Sequence, residues 1–473
     1  MDVQITLAGR KDVSGQVFHQ LRTAIVNGDL RPGDRLPATR ELAVELQVSR
    51  TTVSVAYDRL MGEGFLVARV GSGTYVSDDV GTAPPELGAP AGALRARPVR
   101  SRIQTPLGGP LFAPFDFRCG LPDLARFPYE SWRRLVARQI RPGDARRATY
   151  GEAAGQPDLR FALARHLAVS RAVRATGDDI VITNGLQQAI DLVARVMLEP
   201  GDRVAVEDPG YPPPRGLLET MGMDVAPVPV DHEGLVVDAI PNGTRLVVVT
   251  PSHQFPLGHV MSLRRRVALL QWADRHDAAI VEDDYDSEFR FGGRPVEPLQ
   301  SLDTRGRVVY AGSFSKTMLP ALRLGFVAVP ASIRSAVRTA KHVSDWTTST
   351  PQQLALAQFI DRGWFARHLR AMRALYRERH ELITSYVSRE LAGVARAIPS
   401  AAGLHLSLVT PDRDPDDVTR VVRDLLASGI AAYSLGVFGV VDPRPAGVVI
   451  GYGAIATSDI PEGLRRMGAA LGA

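Results

Sequence analysis

A series of short apolar runs between residues 180 and 329 sets the narrowest limits on how this chain can fold. They are Ile180-Val181-Ile182-Thr183, Val204-Ala205-Val206, Leu246-Val247-Val248-Val249, Ala278-Ala279-Ile280-Val281, Arg307-Val308-Val309-Tyr310-Ala311 and Arg323-Leu324-Gly325-Phe326-Val327-Ala328-Val329. Runs of this length, rich in β-branched residues, read as buried strands. A helical pattern follows from Gln187 onward, so the expected class is α/β, in which chemistry gathers on the connections at the strand ends.

One such connection holds Gly312-Ser313-Phe314-Ser315-Lys316. Among the 56 lysines and arginines, lysine occurs only at Lys11, Lys316 and Lys341. A guanidinium stays protonated, whereas a desolvated lysine can lose its proton and attack an aldehyde. Arginine would have met a need for charge alone, so Lys316 points to amine chemistry.

At 473 residues, 45% hydrophobic and 23% charged, the chain exceeds one ordinary domain and can bury a large core. No apolar stretch is long enough to span a bilayer, and residues 1–10 lack the apolar run of a signal peptide. A single cysteine, Cys119, excludes an internal disulfide and reads as a small buried hydrophobe. A cytoplasmic location without membrane contact is therefore expected, and no metal-ligand pattern stands out. The net charge of +5 permits a nucleic-acid partner.

The first 78 residues read as a device for meeting one. Val17, Leu21, Ala24 and Ile25 recur at helical spacing up to Asn27-Gly28, and Thr39 to Leu46 forms a second helix after a turn-rich connector. Ser49 is placed to cap a third, whose apolar face is Val53, Ala56, Tyr57 and Leu60, with Arg50, Thr51 and Ser54 opposite. Strands at Gly64 to Arg69 and Thr74 to Val76 flank the turn Val70-Gly71-Ser72-Gly73. Tightly joined helices followed by a hairpin make a winged helix-turn-helix. From Val13 to Ser77 the chain resembles the winged-helix domain of the GntR regulators, through Gly33 to Arg40, Val48-Ser49-Arg50-Thr51-Thr52-Val53, and Glu63-Gly64-Phe65 onward to Val76. The resemblance implies a double-stranded promoter DNA partner. Arg50 and Thr51 are placed to hydrogen-bond base edges or phosphates from the major groove, Arg35, Arg40 and the wing backbone at Gly71, Ser72 and Gly73 suit phosphate, and Ser49, Thr52, Ser54 and Arg69 complete the expected DNA-binding set. A basic helix that is merely solvated, or a winged helix used for protein contacts, is the plainer alternative.

Residues 12–78 are thus expected to form an α+β DNA-binding domain, and 79–112, rich in Pro, Gly and Ala, a flexible linker. Residues 113–473 form the α/β domain. There Asn184-Gly185-Leu186 is a strand-to-helix turn exposing backbone N–H groups, which suits phosphate. Tyr211 follows Asp208-Pro209-Gly210 at a strand end, and Glu282-Asp283-Asp284-Tyr285 closes another. Together with Lys316 and Arg323 these resemble the fold-type I pyridoxal phosphate proteins, the aspartate aminotransferase superfamily. The resemblance implies pyridoxal 5'-phosphate as cofactor, joined as an imine to Lys316, with Asp283 facing the pyridine nitrogen and Tyr211 stacked on the ring. Tyr285 would bond the phenolic oxygen. Ser313, Arg323, Gly185, Leu186 and Gln187 would hold the phosphate, and Tyr150 would reach the phosphate of a neighbouring subunit. The corresponding plain readings are a strand-end carboxylate, an ordinary ion pair and an interfacial tyrosine.

A GntR-type winged helix joined to such a domain resembles the MocR subfamily of regulators, also through Glu282 to Phe291 and Gly312 to Thr317. That likeness implies a head-to-tail homodimer and a transcriptional response to pyridoxal phosphate or to its adduct with an amino compound, controlling vitamin B6 or amino-compound metabolism. Two departures bear on this. Phe255-Pro256-Leu257-Gly258 stands where the enzymes have Asn-Pro-Thr-Gly, leaving His253 and Gln254 nearby as a structural pair or as site residues. Val449 stands where an arginine clamps a carboxylate, leaving Arg444 and Arg215 as substitutes. The second reading is a working aminotransferase with a fused DNA-binding domain.

Overall fold

The computed structural model describes residues 5–9, 12–69, 71–79, 113–140, 150–292 and 296–473. The chain divides into two compact units, residues 1–95 and 96–473. The expected linker lies, apart from Asp79, outside the described residues, as do Lys11 and Val70.

The first unit contains α1 (Val13–Val26), β1 (Arg35–Leu36), α2 (Thr39–Glu45), α3 (Arg50–Gly62), β2 (Leu66–Arg69) and β3 (Gly73–Val76), with the sheet ordered β1-β3-β2. Ser49 caps α3, its Oγ accepting from the Thr52 amide at 3.1 Å. Val53, Ala56, Tyr57 and Leu60 are buried against Val17, Phe18 and Leu21 of α1. That apolar stripe fixes α3 on its neighbours, and the Tyr57 hydroxyl donates to the Pro37 carbonyl at 3.0 Å to fasten the connector. The opposite face stays in solvent by default.

The second unit begins with β4 (Phe115–Asp116) and is built on an eight-stranded sheet. Its strands are β5 (Ile180–Thr183), β6 (Arg203–Asp208), β7 (Asp224–Asp231), β8 (Gly234–Leu235), β9 (Thr244–Val249), β10 (Ala279–Asp284), β11 (Val308–Ser313) and β12 (Gly325–Ala328), ordered β5-β12-β11-β10-β9-β6-β7-β8. The central pairs β10/β11, β10/β9 and β6/β9 are parallel, while β12 runs antiparallel to both β11 and β5. Apolar clusters cover both sheet faces, Val281 lying in one and Ile280 in another, which is why the runs are apolar at successive positions. A smaller antiparallel sheet, β13 (Arg396–Ala397), β14 (His405–Val409), β17 (Gly447–Gly451) and β16 (Tyr433–Ser434), follows the long helix Trp364–Glu390, and β15 (Ile430–Ala431) pairs with β4.

Antiparallel β12 returns the chain beside β5, so the turn after β5 and the loop after β11 meet at one edge. Gly325 makes this possible: a Cβ there would stand 2.7 Å from the Gly185 Cα and 2.9 Å from the Gly312 carbonyl oxygen.

Candidate functional site

On the first unit, Arg35, Arg40, Ser49, Arg50 and Thr51 are exposed, as are Arg69, Gly71, Ser72 and Gly73 of the wing, while Thr52 and Ser54 are half-buried. The Ser49 and Thr52 hydroxyls hydrogen-bond to one another at 2.8 Å, so their first role is the cap. Arg69 pairs with Asp78 at 3.2 Å and lies over the Tyr75 ring at 4.7 Å. Arg50 and Thr51 therefore remain as the outward groups at the α3 N-terminus. A backbone of free N–H groups there suits an anion.

On the second unit, the strand ends enclose a cavity of about 290 Å³. Gly185, Leu186, Gln187, Tyr211, Asp283, Tyr285, Ser313, Lys316 and Arg323 all line it. Tyr150 does not. Its ring is exposed and packs edge-on against Trp346, with centroids 4.3 Å apart.

The geometry of β10 explains its three successive carboxylates, since neighbouring strand residues point to opposite faces. Glu282 accepts the amides of Leu299 and Gln300 at 2.8 and 2.9 Å, capping the helix Leu299–Leu302. Asp284 accepts from Arg171 at 2.7 Å and Tyr310 at 2.5 Å. Asp283, between them, turns toward the cavity, and its buried Oδ1 has no hydrogen-bond partner among the described residues. Burial, with Asp284 adding and Lys316 opposing, raises Asp283 well above the usual carboxylate range. A cation beside Oδ1 is what this carboxyl requires to ionise.

Lys316 leaves β11 three residues after Ser313, its Nζ donating to the Gly120 carbonyl at 2.9 Å. Gly120 has φ +89, and a Cβ there would lie 2.9 Å from that Nζ. Burial lowers the Lys316 pKa from its ordinary 10.5, against the pull of Cys119 and Asp283. The same burial pushes the Cys119 thiol up to about 12, leaving it a bystander.

Arg323 donates to the Asn184 carbonyl at 2.8 Å and has no carboxylate partner among the described residues. It stands beside Gly185, where the helix Leu186–Met197 begins. The Gln187 Oε1 at that helix start is buried without a partner. A guanidinium, the Ser313 hydroxyl and a helix N-terminus thus converge on one end of the cavity, the arrangement that binds a phosphate group.

Tyr285 donates to the His253 carbonyl at 2.9 Å. The His253 ring is held between Asp286, at 3.0 Å, and Ser400, at 3.1 Å, which makes it a supporting residue behind Tyr285. Gln254 is likewise internal, bonding the Pro209 and Phe255 carbonyls at 2.9 and 2.6 Å. His253, Asp286 and His405 offer ligand atoms within 4.8 Å of one another, but His405 Nε2 already meets the Pro256 carbonyl at 3.1 Å. This cluster is a hydrogen-bond network. Neither arginine considered as a carboxylate clamp lines the cavity: Arg444 pairs with Asp416 and Asp442, and Arg215 with Glu219. Val449 is buried with Phe255, Leu435 and Phe438. Arg118, Gly120, Ser315, His405 and Tyr433, which carry no sequence expectation for a site role, also line the cavity, as does Cys119, expected as a small buried hydrophobe. Arg118 and Gly120 lie in the stretch that opens the domain, and Ser315 inside the lysine motif. His405 has no local signal.

A winged helix and an α/β lysine cavity define the class: a DNA-binding head joined to an aminotransferase-type domain. The family described as bacterial regulatory proteins, gntR family, matches residues 13–76, and aminotransferase class I and II matches residues 123–456. The chain is 37% identical over 461 residues to the probable rhizopine catabolism regulatory protein MocR of Rhizobium meliloti, covering 96% of this chain and 93% of that protein. It is 31% identical over 438 residues to the HTH-type pyridoxine biosynthesis transcriptional regulator PdxR of Corynebacterium glutamicum, covering 93% and 91%. Among solved structures, LysN, the α-aminoadipate aminotransferase of Thermus thermophilus complexed with N-(5'-phosphopyridoxyl)-L-leucine, matches 76% of this chain and 92% of its own, with a TM-score of 0.68 and 27% identity. The chain belongs to the MocR-type GntR transcriptional regulators. No helix among the described residues is long and apolar enough to cross a membrane.

Proposed function

We propose that this regulator binds pyridoxal 5'-phosphate in the Lys316 cavity and that occupancy alters how paired winged helices engage promoter DNA. The observation that carries the reading is the buried, unpartnered Asp283 Oδ1 facing the same cavity as the Lys316 amine. When bound, pyridoxal phosphate supplies an aldehyde that takes up a primary amine and a ring that accepts electrons. Lys316 serves as the amine, and its burial-lowered pKa enlarges the neutral fraction able to attack. Asp283 holds a proton on the ring nitrogen, an ion pair that offsets the cost of burying the carboxylate. Tyr285 orients the phenolic oxygen, and Tyr211 packs on the ring. Arg323, Ser313 and the amides of Leu186 and Gln187 hold the phosphate. Arg50 and Thr51 read base edges, with Arg35, Arg40 and the wing on phosphates. A head-to-tail homodimer would place Tyr150, outward-facing in one chain, against its neighbour.

Borohydride reduction of protein incubated with pyridoxal phosphate, followed by peptide mass mapping, tests the cavity. The adduct is expected on the Lys316 peptide and is absent from Lys316→Ala; an adduct on Lys341 instead overturns the assignment.

The retained Lys316, Asp283 and Tyr285 favour a second reading, a working aminotransferase. Turnover of an amino acid with a keto acid, beyond one equivalent per chain, would establish it. The apolar Val449, with Arg444 and Arg215 both engaged by carboxylates outside the cavity, argues for sensing the cofactor or a ligand without an α-carboxylate.

A further inference from the structure

A second cavity of the same unit, about 420 Å³, shares no lining residue with the cavity assigned to the cofactor. Four arginines line it: Arg171, Arg290, Arg373 and Arg377, with Glu288 and Phe291. Only Arg171 has a carboxylate partner among the described residues, Asp284 at 2.7 Å. Arg373 donates to the Glu288 backbone carbonyl at 2.9 Å, a neutral acceptor. Arg290 carries a buried Nε with no hydrogen-bond partner, and Arg377 has no ion pair among the described residues.

Leu369, Arg373 and Arg377 stand four residues apart on the helix Trp364–Glu390, so the two guanidiniums occupy one face, where like charges repel. Arg290 and Arg171 approach from the segment after β10 and from the end of the helix Pro157–Arg171. Burial, then the Arg171 charge, lowers the Arg290 pKa, as expected where cations crowd without compensation. Glu288 compensates poorly, because burial and Asp284 push its carboxyl up to about 7.

A concave wall with four guanidiniums, facing only Asp284, committed to Arg171, and Glu288, whose carboxyl burial pushes up, and with an unbonded buried N–H, is complementary to an anion. Guanidinium forks match phosphate and carboxylate geometry, and the Phe291 ring offers an apolar surface for the body of a ligand. We propose that this cavity is a binding site for a small molecule bearing an oxyanion, held by Arg290, Arg373 and Arg377. The proposal stands apart from the cofactor reading, since it uses none of the groups assigned to pyridoxal phosphate.

The test is isothermal titration of the full-length protein, saturated with pyridoxal phosphate, against inorganic phosphate and, separately, succinate at fixed ionic strength. At least one is expected to bind saturably, one per chain, and the tighter of the two identifies phosphate or carboxylate as the recognised group. Arg290→Gln/Arg377→Gln is expected to weaken that binding at least tenfold. Unchanged binding in this variant, or no saturable binding of either anion to the wild type, overturns the proposal. Should the variant fail to fold, wild-type crystals soaked in tungstate decide: an anomalous peak among Arg290, Arg373 and Arg377 supports the site, and a peak confined to Leu186, Gln187 and Arg323 refutes it.

Discussion

The winged helix and the lysine cavity both present cations, but in opposite surroundings. Arg35, Arg40 and Arg50 stand in solvent on a small domain whose buried side does nothing but hold α3 in place. Asp283 is buried and Lys316 half-buried, and burial heads the causes that displace both pKa values. Exposed charges act additively and are screened by salt, so the head grades its affinity contact by contact. Buried charges depend on having their partner, so the cavity is sensitive to the loss of a single group. Under the proposed function, this division would let a buried ligand pocket govern a surface whose individual contacts are weak.

The largest expected effect lies on the buried side. Asp283→Ala removes the only partner proposed for the ring cation, and cofactor affinity should fall by about 3–5 kcal/mol, as for breaking a buried pair. A fluorescence titration checks this, and unchanged affinity would place the ring nitrogen elsewhere. The pH profile sharpens the same point. Only the neutral amine attacks, and burial lowers the Lys316 pKa, so its neutral fraction at any given pH exceeds that of free lysine. The rate of covalent capture should therefore rise with pH and level off below 10.5. A rise centred at or above that value would mean that Lys316 is not desolvated.

Smaller effects are expected on the head. Arg50→Ala should cost about 1–3 kcal/mol in operator binding with cofactor absorbance unaltered, by gel shift and spectrophotometry. Equal affinity for operator would remove Arg50 from base contact. Smallest is Arg40→Ala, which should weaken all sequences alike and reduce the slope of log affinity against log salt by about one. A sequence-dependent loss would move Arg40 from the phosphates to the bases.

Much of this arrangement was legible before the structure because its signals are local. Strand runs, the Ser49 cap and the apolar face of α3 each depend on residues a few positions apart, and the structure places them within a few residues of expectation. Nine of the ten proposed cofactor residues line one cavity for the same reason: each sits at a strand end or on the turn that follows. Tyr150 stays outside, its exposed ring against Trp346; its proposed role lies on a neighbouring subunit. What the sequence hid depends on chain closure. His405 comes from β14 of the small sheet, and Gly120 meets Lys316 across 196 residues of chain. Arg171, Arg290, Arg373 and Arg377 look like scattered surface charge until three segments converge. Arg444 and Arg215 lie outside the cavity, engaged by Asp416 and Asp442 and by Glu219.

The most direct test joins the two regions. Operator affinity for the DNA upstream of this chain's own coding region is measured with and without pyridoxal phosphate, in wild type and in Lys316→Ala. The cofactor should shift wild-type affinity and leave the variant unmoved. Equal shifts in both proteins, or none in either, would contradict control of the head by covalent capture at Lys316.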